Sequence, residues 1–417
     1  MQPFILHIDM NSYFASVEQQ ANPLYRGKPL GVCAYLGANG CIIASSKEAK
    51  KIGIKTGCSI RDAKKIFPKI ILVENEPAKY RSTTEKIFSI FADYTDRIEP
   101  YSIDEAFLDL TGYIESYDQG IKLILEIRQR IKVEVGDWLT CSAGLSWTRF
   151  LAKFASDITP SDSYLIIDSA EKQEQVFNSV KMTEAWGIKE RTKIRLNRLG
   201  IYSLLDLKRY PVGNLLRAFG KHGYYLWANA NGIEIEGVRT EEEIMPKSIG
   251  HSYCIPWHTN DRQYLVSILR KLCEKTGRRL REKNMEAMGI HAGYSLEHGG
   301  GYFGSRRTNA PLFTTDEIFK SAMSIVDERY PSSGVYMLAI SVTNLRECSG
   351  QQTLFAKRER GISLSNALDK LNGRYGDSTV ISGSMVEVGE SAQDRIGFRK
   401  SVEITPKVER FRYTDDY

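Results

Sequence analysis

The chain has 417 residues, 42% of them hydrophobic and 26% charged, with 57 Lys and Arg against 51 Asp and Glu and a mean hydropathy of −0.32. This is the composition of a folded, water-compatible protein of two to four domains at about 100–200 residues each, and it excludes disordered, collagenous and membrane-embedded classes. No run approaches the roughly 20 apolar residues of a membrane span, and the first ten residues reach Asp9 without the basic region and apolar core of a leader, so a cytoplasmic protein without membrane attachment is expected.

The first predicted element is a buried strand, Phe4–Ile8, which ends in a carboxylate at Asp9. Between Arg81 and Arg97, Ile87, Ile90, Phe91 and Tyr94 recur at helical spacing. Two apolar segments, Pro100–Ile103 and Ala106–Leu110, flank Asp104 and Glu105 and predict a hairpin with an acidic tip. A helix over Ile121–Val135 and a strand over Thr140–Leu145 complete the order strand, helix, strand, strand, helix, strand. That is the split βαβ arrangement of ferredoxin-like domains, with about 70 residues inserted after the first strand.

Short helical pieces separated by glycine turns are expected from Val180 to Gly232, followed by a polar linker over 233–244. The split βαβ order then repeats. Strands are predicted over Ile249–Trp257, Ala287–Leu296, Tyr302–Asn309 and Val335–Thr343, with helices over Tyr264–Lys283 and from a cap at Asp316 to Tyr330. The tail after Arg346 offers one helix candidate, Ser363–Arg374, and no core of its own, so docking or partial disorder is expected there.

In a split βαβ sheet the first and third strands are central neighbours, which places Asp9 beside the Asp104/Glu105 tip. Three acids at one point repel each other unless cations compensate, an arrangement suited to two divalent ions such as magnesium and to in-line phosphoryl or nucleotidyl transfer. Seven scattered cysteines without a CxxC pair and six histidines without HxxxH or HExxH spacing make a zinc site or a disulfide framework unexpected. No GxxxxGK[ST] loop is present. Charge concentrates in two segments: Lys181–Lys221 holds ten Lys or Arg against three acids, and Met245–Arg346 holds fourteen against nine, as a polyanion track would.

At these residues the chain resembles the Y-family, or translesion, DNA polymerases of the bacterial polymerase IV and mutagenesis-protein type. The resemblance rests on HIDMNSYFASVE (7–18), YSIDEAFLDL (101–110), LAKFASD (151–157), WGIKERT (186–192), FGKHG (219–223) and KSIGHS (247–252), in that order along the chain. It implies an α+β, multidomain, right-handed polymerase. The ferredoxin-like palm would span 1–10 and 78–165, small fingers 11–77, a helical helix-hairpin-helix thumb 166–232, a linker 233–244, a second split-βαβ little finger 245–346, and a tail 347–417. Asp9, Asp104 and Glu105, with the Met10 carbonyl, would hold two magnesium ions. Phe14 would be a steric gate against ribonucleotides, with Tyr13 and its backbone beside the sugar and triphosphate.

Two departures fall on the implied triphosphate site. SSKEAK (45–50) places Lys47 where relatives often carry Tyr and Lys50 where they carry Arg, and Thr159 stands before Pro160 where a Lys is usual. Lys50 keeps the charge without the planar fork of Arg, and Lys47 offers a replacement cation. Lys189, Arg191, Lys193, Arg195 and Arg198 around WGIKERT, and Lys247, Arg306 and Arg307 in the little finger, are the expected phosphate contacts. Their binding should be independent of sequence and sensitive to salt. Lys189 replaces the second glycine usual in such a hairpin.

QQTLF (351–355) is similar to the peptide by which bacterial polymerases dock on the sliding clamp, with Gln351, Leu354 and Phe355 as anchors. The expected partners are therefore primer-template DNA, dNTPs, the clamp and SOS-type accessory proteins, and a monomer is expected. Two other functions compete. Nucleotide cyclisation shares the palm logic but lacks its GG[DE]EF signature here, and a non-catalytic, clamp-docked DNA-binding regulator with a weakened nucleotide pocket would be consistent with Lys47 and Thr159.

Overall fold

The computed structural model describes residues 3–37, 40–240, 245–348, 356–376, 379–389 and 391–392, which form two bodies meeting in sequence at residues 244 and 245. The QQTLF peptide lies outside the described residues. No helix among them is long and apolar enough to cross a membrane.

In chain order the first body carries β1 (Ile5–Met10), α1 (Tyr13–Ala21), β2 (Leu30–Cys33), β3 (Ile42–Ser45), α2 (Lys47–Lys51), α3 (Ile60–Ile66), β4 (Ile71–Glu74) and α4 (Pro77–Ala92). It continues through β5 (Ile98–Pro100), β6 (Glu105–Asp109), α5 (Tyr117–Arg130), β7 (Cys141–Ser146), α6 (Arg149–Ile158) and β8 (Tyr164–Ile166). The central sheet runs β5-β6-β1-β7-β8. β1 is antiparallel to both β6 and β7, so Asp9 faces Glu105 across one ladder and Ser142 across the other.

Alternation along β1 sorts its side chains. Leu6, Ile8 and Met10 join Ile87, Phe88, Phe91, Ile124 and Ile127 of α4 and α5 in one core, while Ile5 meets Phe107 and Ala152 on the α6 face. Helix α6 is buried from Arg149 to Ser156 because it is packed on two sides, by the sheet beneath and by the helical segment above. Gly144 permits this closeness, since a Cβ there would lie 2.1 Å from the Ala152 carbonyl oxygen.

The helix expected over Arg81–Arg97 begins earlier, with Pro77 in its first turn, and ends at Ala92. The helix expected over Ile121–Val135 begins at Tyr117 under a Ser116 cap and finishes as a π-turn over Ile131–Val135. The insertion after β1 contains a three-stranded sheet, ordered β3-β2-β4, that the sequence reading lacked, as it lacked β8.

The helical segment comprises α7 (Ala170–Ser179), α8 (Glu190–Asn197), α9 (Leu204–Arg209), α10 (Val212–Phe219) and α11 (Lys221–Ala230). The stretch expected as a linker is seated on this first body as far as residue 240. Trp147 donates to the Gly232 carbonyl at 2.9 Å, the Arg149 backbone N–H donates to Glu234 at 2.7 Å, and Val238 is buried against Ile5 and Phe107.

The second body is built from β9 (Ser248–Thr259), α12 (Arg262–Glu282), β10 (Met285–Leu296), β11 (Gly301–Leu312), α13 (Thr315–Val326) and β12 (Val335–Glu347). Its antiparallel sheet runs β11-β10-β12-β9. The cap of α13 is Thr314, in a reciprocal box with Glu317, rather than Asp316. The tail helix α14 (Ala356–Tyr375) is longer than expected and docks on α12 and α13 through Arg281–Asp369 at 2.5 Å and Arg358–Glu317 at 2.9 Å, and Met385 and Val388 complete the core.

Candidate active site

The end of β1 and the turn entering β6 form the floor of the site. The Met10 backbone N–H donates to the Asp104 carbonyl at 2.9 Å, which fixes Asp104 beside the end of β1, while the ladder fixes Glu105 opposite Asp9. Glu105 points toward α6, where Lys153 Nζ lies 2.5 Å from its Oε2 and His7 Nε2 lies 3.2 Å from the same oxygen. His7 Nδ1 in turn lies 2.6 Å from Ser156 Oγ.

The carboxyls divide electrostatically. Burial pushes Asp9 well above the usual range, and the neighbouring charges of Asp104 and Glu105 push it further. Burial also raises Asp104, against a hydrogen bond from Ser102. Burial works to raise Glu105 too, but the His7 contact and the Lys153 charge outweigh it and bring Glu105 down to about 2. Burial holds His7 neutral, down to about 4.

Among the described residues no three carboxylate, imidazole or thiol groups converge into a closed metal cage. Asp9, Asp104 and Glu105 stand together where β1 ends and β6 begins, and of the two Glu105 oxygens Oε2 is engaged by Lys153 and His7. The donor set still fits a hard divalent ion. Asp9 and Asp104 are half-buried, mutually repelling oxygen donors, and magnesium is ordinarily held by one or two carboxylates completed by substrate phosphates and water.

Above this floor opens a cavity of about 600 Å³, lined by Asp9, Met10, Asn11, Lys47, Lys50 and Thr159 among others. Lys47 enters from α2, whose Ser46 cap accepts the Ala49 N–H, and its ammonium donates to Thr140 Oγ1 at 2.7 Å. Burial lowers Lys50, while Asp9 and Asp104 act to raise it, so its ammonium is close enough to both carboxylates to feel them. Thr159 contributes no charge where it lines the wall.

Phe14 and Tyr13 open α1 beside this cavity. Phe14 is buried with its ring stacked on Tyr80. The Tyr13 hydroxyl is committed to the Tyr80 carbonyl at 2.9 Å and to Thr84 at 2.7 Å. Its ring therefore braces α4, and only its backbone is left for a ligand.

The expected phosphate contacts sort into free and engaged groups. In the helical segment Gly187 takes φ +87°, and Lys189 takes φ −110° and ψ 177°, extended backbone open to any residue, so lysine fits the place of the second glycine. No side chain caps α8, which leaves its first-turn N–H groups available to an anion, and Lys189 and Arg191 are exposed there. Lys193 lies 3.4 Å from Glu190. Arg195 departs from the expectation: its guanidinium stacks 4.1 Å from the Phe219 ring centroid and donates to the Ala218 carbonyl at 2.7 Å, tying α8 to α10.

In the second body Lys247 is exposed just before β9. Arg306 also departs from the expectation, since it reaches to the helix side of the sheet and pairs with Glu328 and Ser324. Arg307 lies on the opposite, helix-free face, in register with Gly289. That face continues through His291, Ser305, Thr343, Ser341 and Gly250, with the exposed Phe303 ring stacked on His291, polar or small residues for the most part, as a nucleic-acid backbone contact requires. Its signal in the sequence is the alternation of Gly, Ser and Thr with apolar residues along β10 and β12.

Two further features lay outside the expected site. Lys153 belongs to the LAKFASD motif, and its role is visible only once α6 lies over β6. Residues 46–70 hold eight Lys or Arg against two acids, an excess equal to the net charge of the whole chain. Lys51, Lys55, Arg61, Lys64, Lys65 and Lys69 are all exposed there.

Residues 8–157 match the model of the impB/mucB/samB family, and residues 246–354 match the model of the C-terminal domain of the same family. The chain is 31% identical over 389 residues to the DNA polymerase IV of Pelotomaculum thermopropionicum, covering 90% of this chain and 94% of that one. It is 31% identical over 345 residues to the DNA polymerase IV of Listeria innocua, covering 82% and 95%. Among solved structures it resembles a Y-family DNA polymerase chimera, Dbh-Dpo4(243-245)-Dbh, with a TM-score of 0.72 and 27% identity over 83% of this chain and all of that one. It also resembles an insertion ternary complex of Dbh DNA polymerase, with a TM-score of 0.57 and 26% identity over the same shares.

Proposed function

Because the chain belongs to the impB/mucB/samB family, the Y-family DNA polymerases of the polymerase IV type, we propose that it extends a primer on damaged template DNA by two-metal nucleotidyl transfer at Asp9 and Asp104. The observation that carries this reading is the pairing of Asp9 with Glu105 across central strands, beneath a cavity walled by Lys47 and Lys50. The reaction joins a primer 3′-oxygen to the α-phosphorus of a dNTP and releases pyrophosphate. Relatives named as polymerases over nearly their whole length leave the regulator reading without support.

Two magnesium ions, when bound, would lower the pKa of the primer hydroxyl and neutralise charge on the leaving pyrophosphate. Asp9, Asp104 and the Met10 carbonyl would hold them, together with Glu105, whose Oε2 is steadied by Lys153. Lys47 and Lys50 would bind the triphosphate, and Phe14 would occupy the space of a ribose 2′-hydroxyl. DNA phosphates would be met in the first body at the α8 N-terminus by Lys189 and Arg191, and in the second body by Lys247 and Arg307.

Primer extension on an undamaged primed template with magnesium and all four dNTPs tests the reading. Extension by the wild type and none by Asp104→Ala/Glu105→Ala is expected, and no extension by either, despite salt-sensitive DNA binding, overturns it. The same proposal places the enzyme in the cytoplasm and on the sliding clamp, with Gln351, Leu354 and Phe355 as the docking anchors. A clamp pull-down in which Leu354→Ala/Phe355→Ala still binds removes that peptide from the reading.

A further inference from the structure

One wall of the cavity is held by one connected set of hydrogen bonds whose directions are fixed by chemistry. Lys47 has only donors, so its ammonium donates to Thr140 Oγ1 at 2.7 Å. The Thr140 hydroxyl proton is then free to go to Asn11 Oδ1, 3.1 Å away. Asn11 Oδ1 also accepts the Asp162 backbone N–H at 2.8 Å, and Asn11 Nδ2 donates to Ser142 Oγ at 2.9 Å. Ser142 passes its own proton to the Pro160 carbonyl at 3.2 Å.

The Asn11 amide has one orientation that satisfies all of these bonds. Asp162 sits at φ +58°, a strained conformation for a side chain other than glycine, and is clamped from the far side by Arg128 at 2.7 Å and Lys132 at 2.9 Å. The loop 159–162 and the tip of α2 are thus drawn together through Asn11 and Thr140. This is the loop in which Thr159 supplies no cation, and Lys47 is the cation drawn to it.

We propose that Thr140 and Asn11 are positioning residues that hold the Lys47 ammonium in the nucleotide cavity, so that it supplies the phosphate charge Thr159 lacks. The proposal rests on the reading of the cavity as the triphosphate site. The hydroxyl of Thr140 fixes a flexible four-carbon side chain at the wall before a nucleotide arrives, which lowers the ordering cost of binding. Removing that hydroxyl should weaken nucleotide binding without altering the carboxylates.

Steady-state incorporation of a single dNTP by the full chain, with wild type, Thr140→Val, Lys47→Met and the double variant, separates the possibilities. Lys47→Met and Thr140→Val are each expected to raise KM for dNTP on the order of tenfold with a smaller change in kcat, and the double variant to be no worse than Lys47→Met alone. Thr140→Ser, which keeps the hydroxyl, should restore most of the loss. Effects of Thr140→Val and Lys47→Met that add in the double variant, or an unchanged KM for Thr140→Val beside a raised one for Lys47→Met, overturn the positioning role alone. An unchanged KM for Lys47→Met overturns the triphosphate reading of this wall as well. Should the valine variant not fold, as judged by its unfolding midpoint, Thr140→Ala serves in the same comparison.

Discussion

The ring of Phe14 is stacked on Tyr80, with centroids 4.5 Å apart and planes inclined by 25°. Tyr80 is itself fully buried, and its hydroxyl donates to Glu18 at 2.7 Å while Lys79 holds the other Glu18 oxygen at 3.0 Å. Phe14, the proposed gate, is thus backed by a residue held at its hydroxyl by Glu18 and at its backbone carbonyl by the Tyr13 hydroxyl. Phe14→Ala should raise the relative efficiency of ribonucleotide incorporation on the order of 10- to 100-fold, the scale of one steric contact in a packed pocket. The measurement is the ratio of kcat/KM for an rNTP and its dNTP. An unchanged ratio would remove Phe14 from this role.

Burial raises Asp9 and Asp104, the charges of Asp104 and Glu105 push Asp9 further and that of Glu105 adds to Asp104, so the fold disfavours their ionised forms. For a carboxyl whose folded pKa lies above its unfolded value, stability falls as pH rises from the ordinary value toward the raised one, and the penalty is fully present above it. At neutral pH the pair therefore destabilises the metal-free protein. Asp9→Asn should raise the unfolding midpoint without divalent ions by roughly 2–4 °C, and magnesium should raise the midpoint of the wild type but not of Asp9→Asn/Asp104→Asn. Equal responses of the two proteins to magnesium in a thermal melt would show that these carboxylates do not hold the ion.

How far the sequence discloses this site depends on the kind of information each residue carries. Strand order was legible, because the apolar runs ending at Asp9 and flanking Asp104 admit few arrangements, and the same pattern recurs after residue 248. The small sheet of β2, β3 and β4 was not, since LGVC, IIAS and ILVE are four-residue strands without alternation. Side-chain direction was legible least. Arg306 and Arg307 are equivalent in composition, and only the register of β11 on β10 sends one to Glu328 and the other to the open face. Lys153 and Glu105 are 48 residues apart, and no local signal pairs them.

The cations of the helical segment divide by what they already touch. Lys189 and Arg191 are exposed at an uncapped helix start, whereas Arg195 is spent on Phe219 and Ala218. Lys189→Ala and Arg191→Ala should each weaken duplex binding regardless of sequence and reduce the slope of log affinity against log salt by about 1. Arg195→Ala should leave that slope unchanged and lower the stability of the helical segment instead. Fluorescence anisotropy over a salt series reads the slope directly, and a loss of slope with Arg195→Ala would return it to the phosphate contacts.

Glu99 and Arg149 form a buried ion pair at 2.5 Å, with side chains 0% and 6% exposed, where the central sheet, α6 and the segment after α11 meet. The Arg149 guanidinium also lies over the rings of Tyr101, Phe107 and Trp186, and Glu99 accepts the Arg239 backbone N–H at 3.2 Å. A buried pair of this kind is costly to break from one side, because the remaining charge has neither water nor a counter-charge. Arg149→Met should therefore destabilise the first body by about 3–5 kcal/mol, and Glu99→Gln added to it should recover part of the loss. The seat of residues 232–240 depends on Glu99 through Arg239, so limited proteolysis should cut that segment faster in Arg149→Met than in the wild type. Denaturant titration gives the first quantity and digestion time courses the second. A variant as stable and as resistant as the wild type would mean that the aromatic surround, rather than the charge pair, holds this junction.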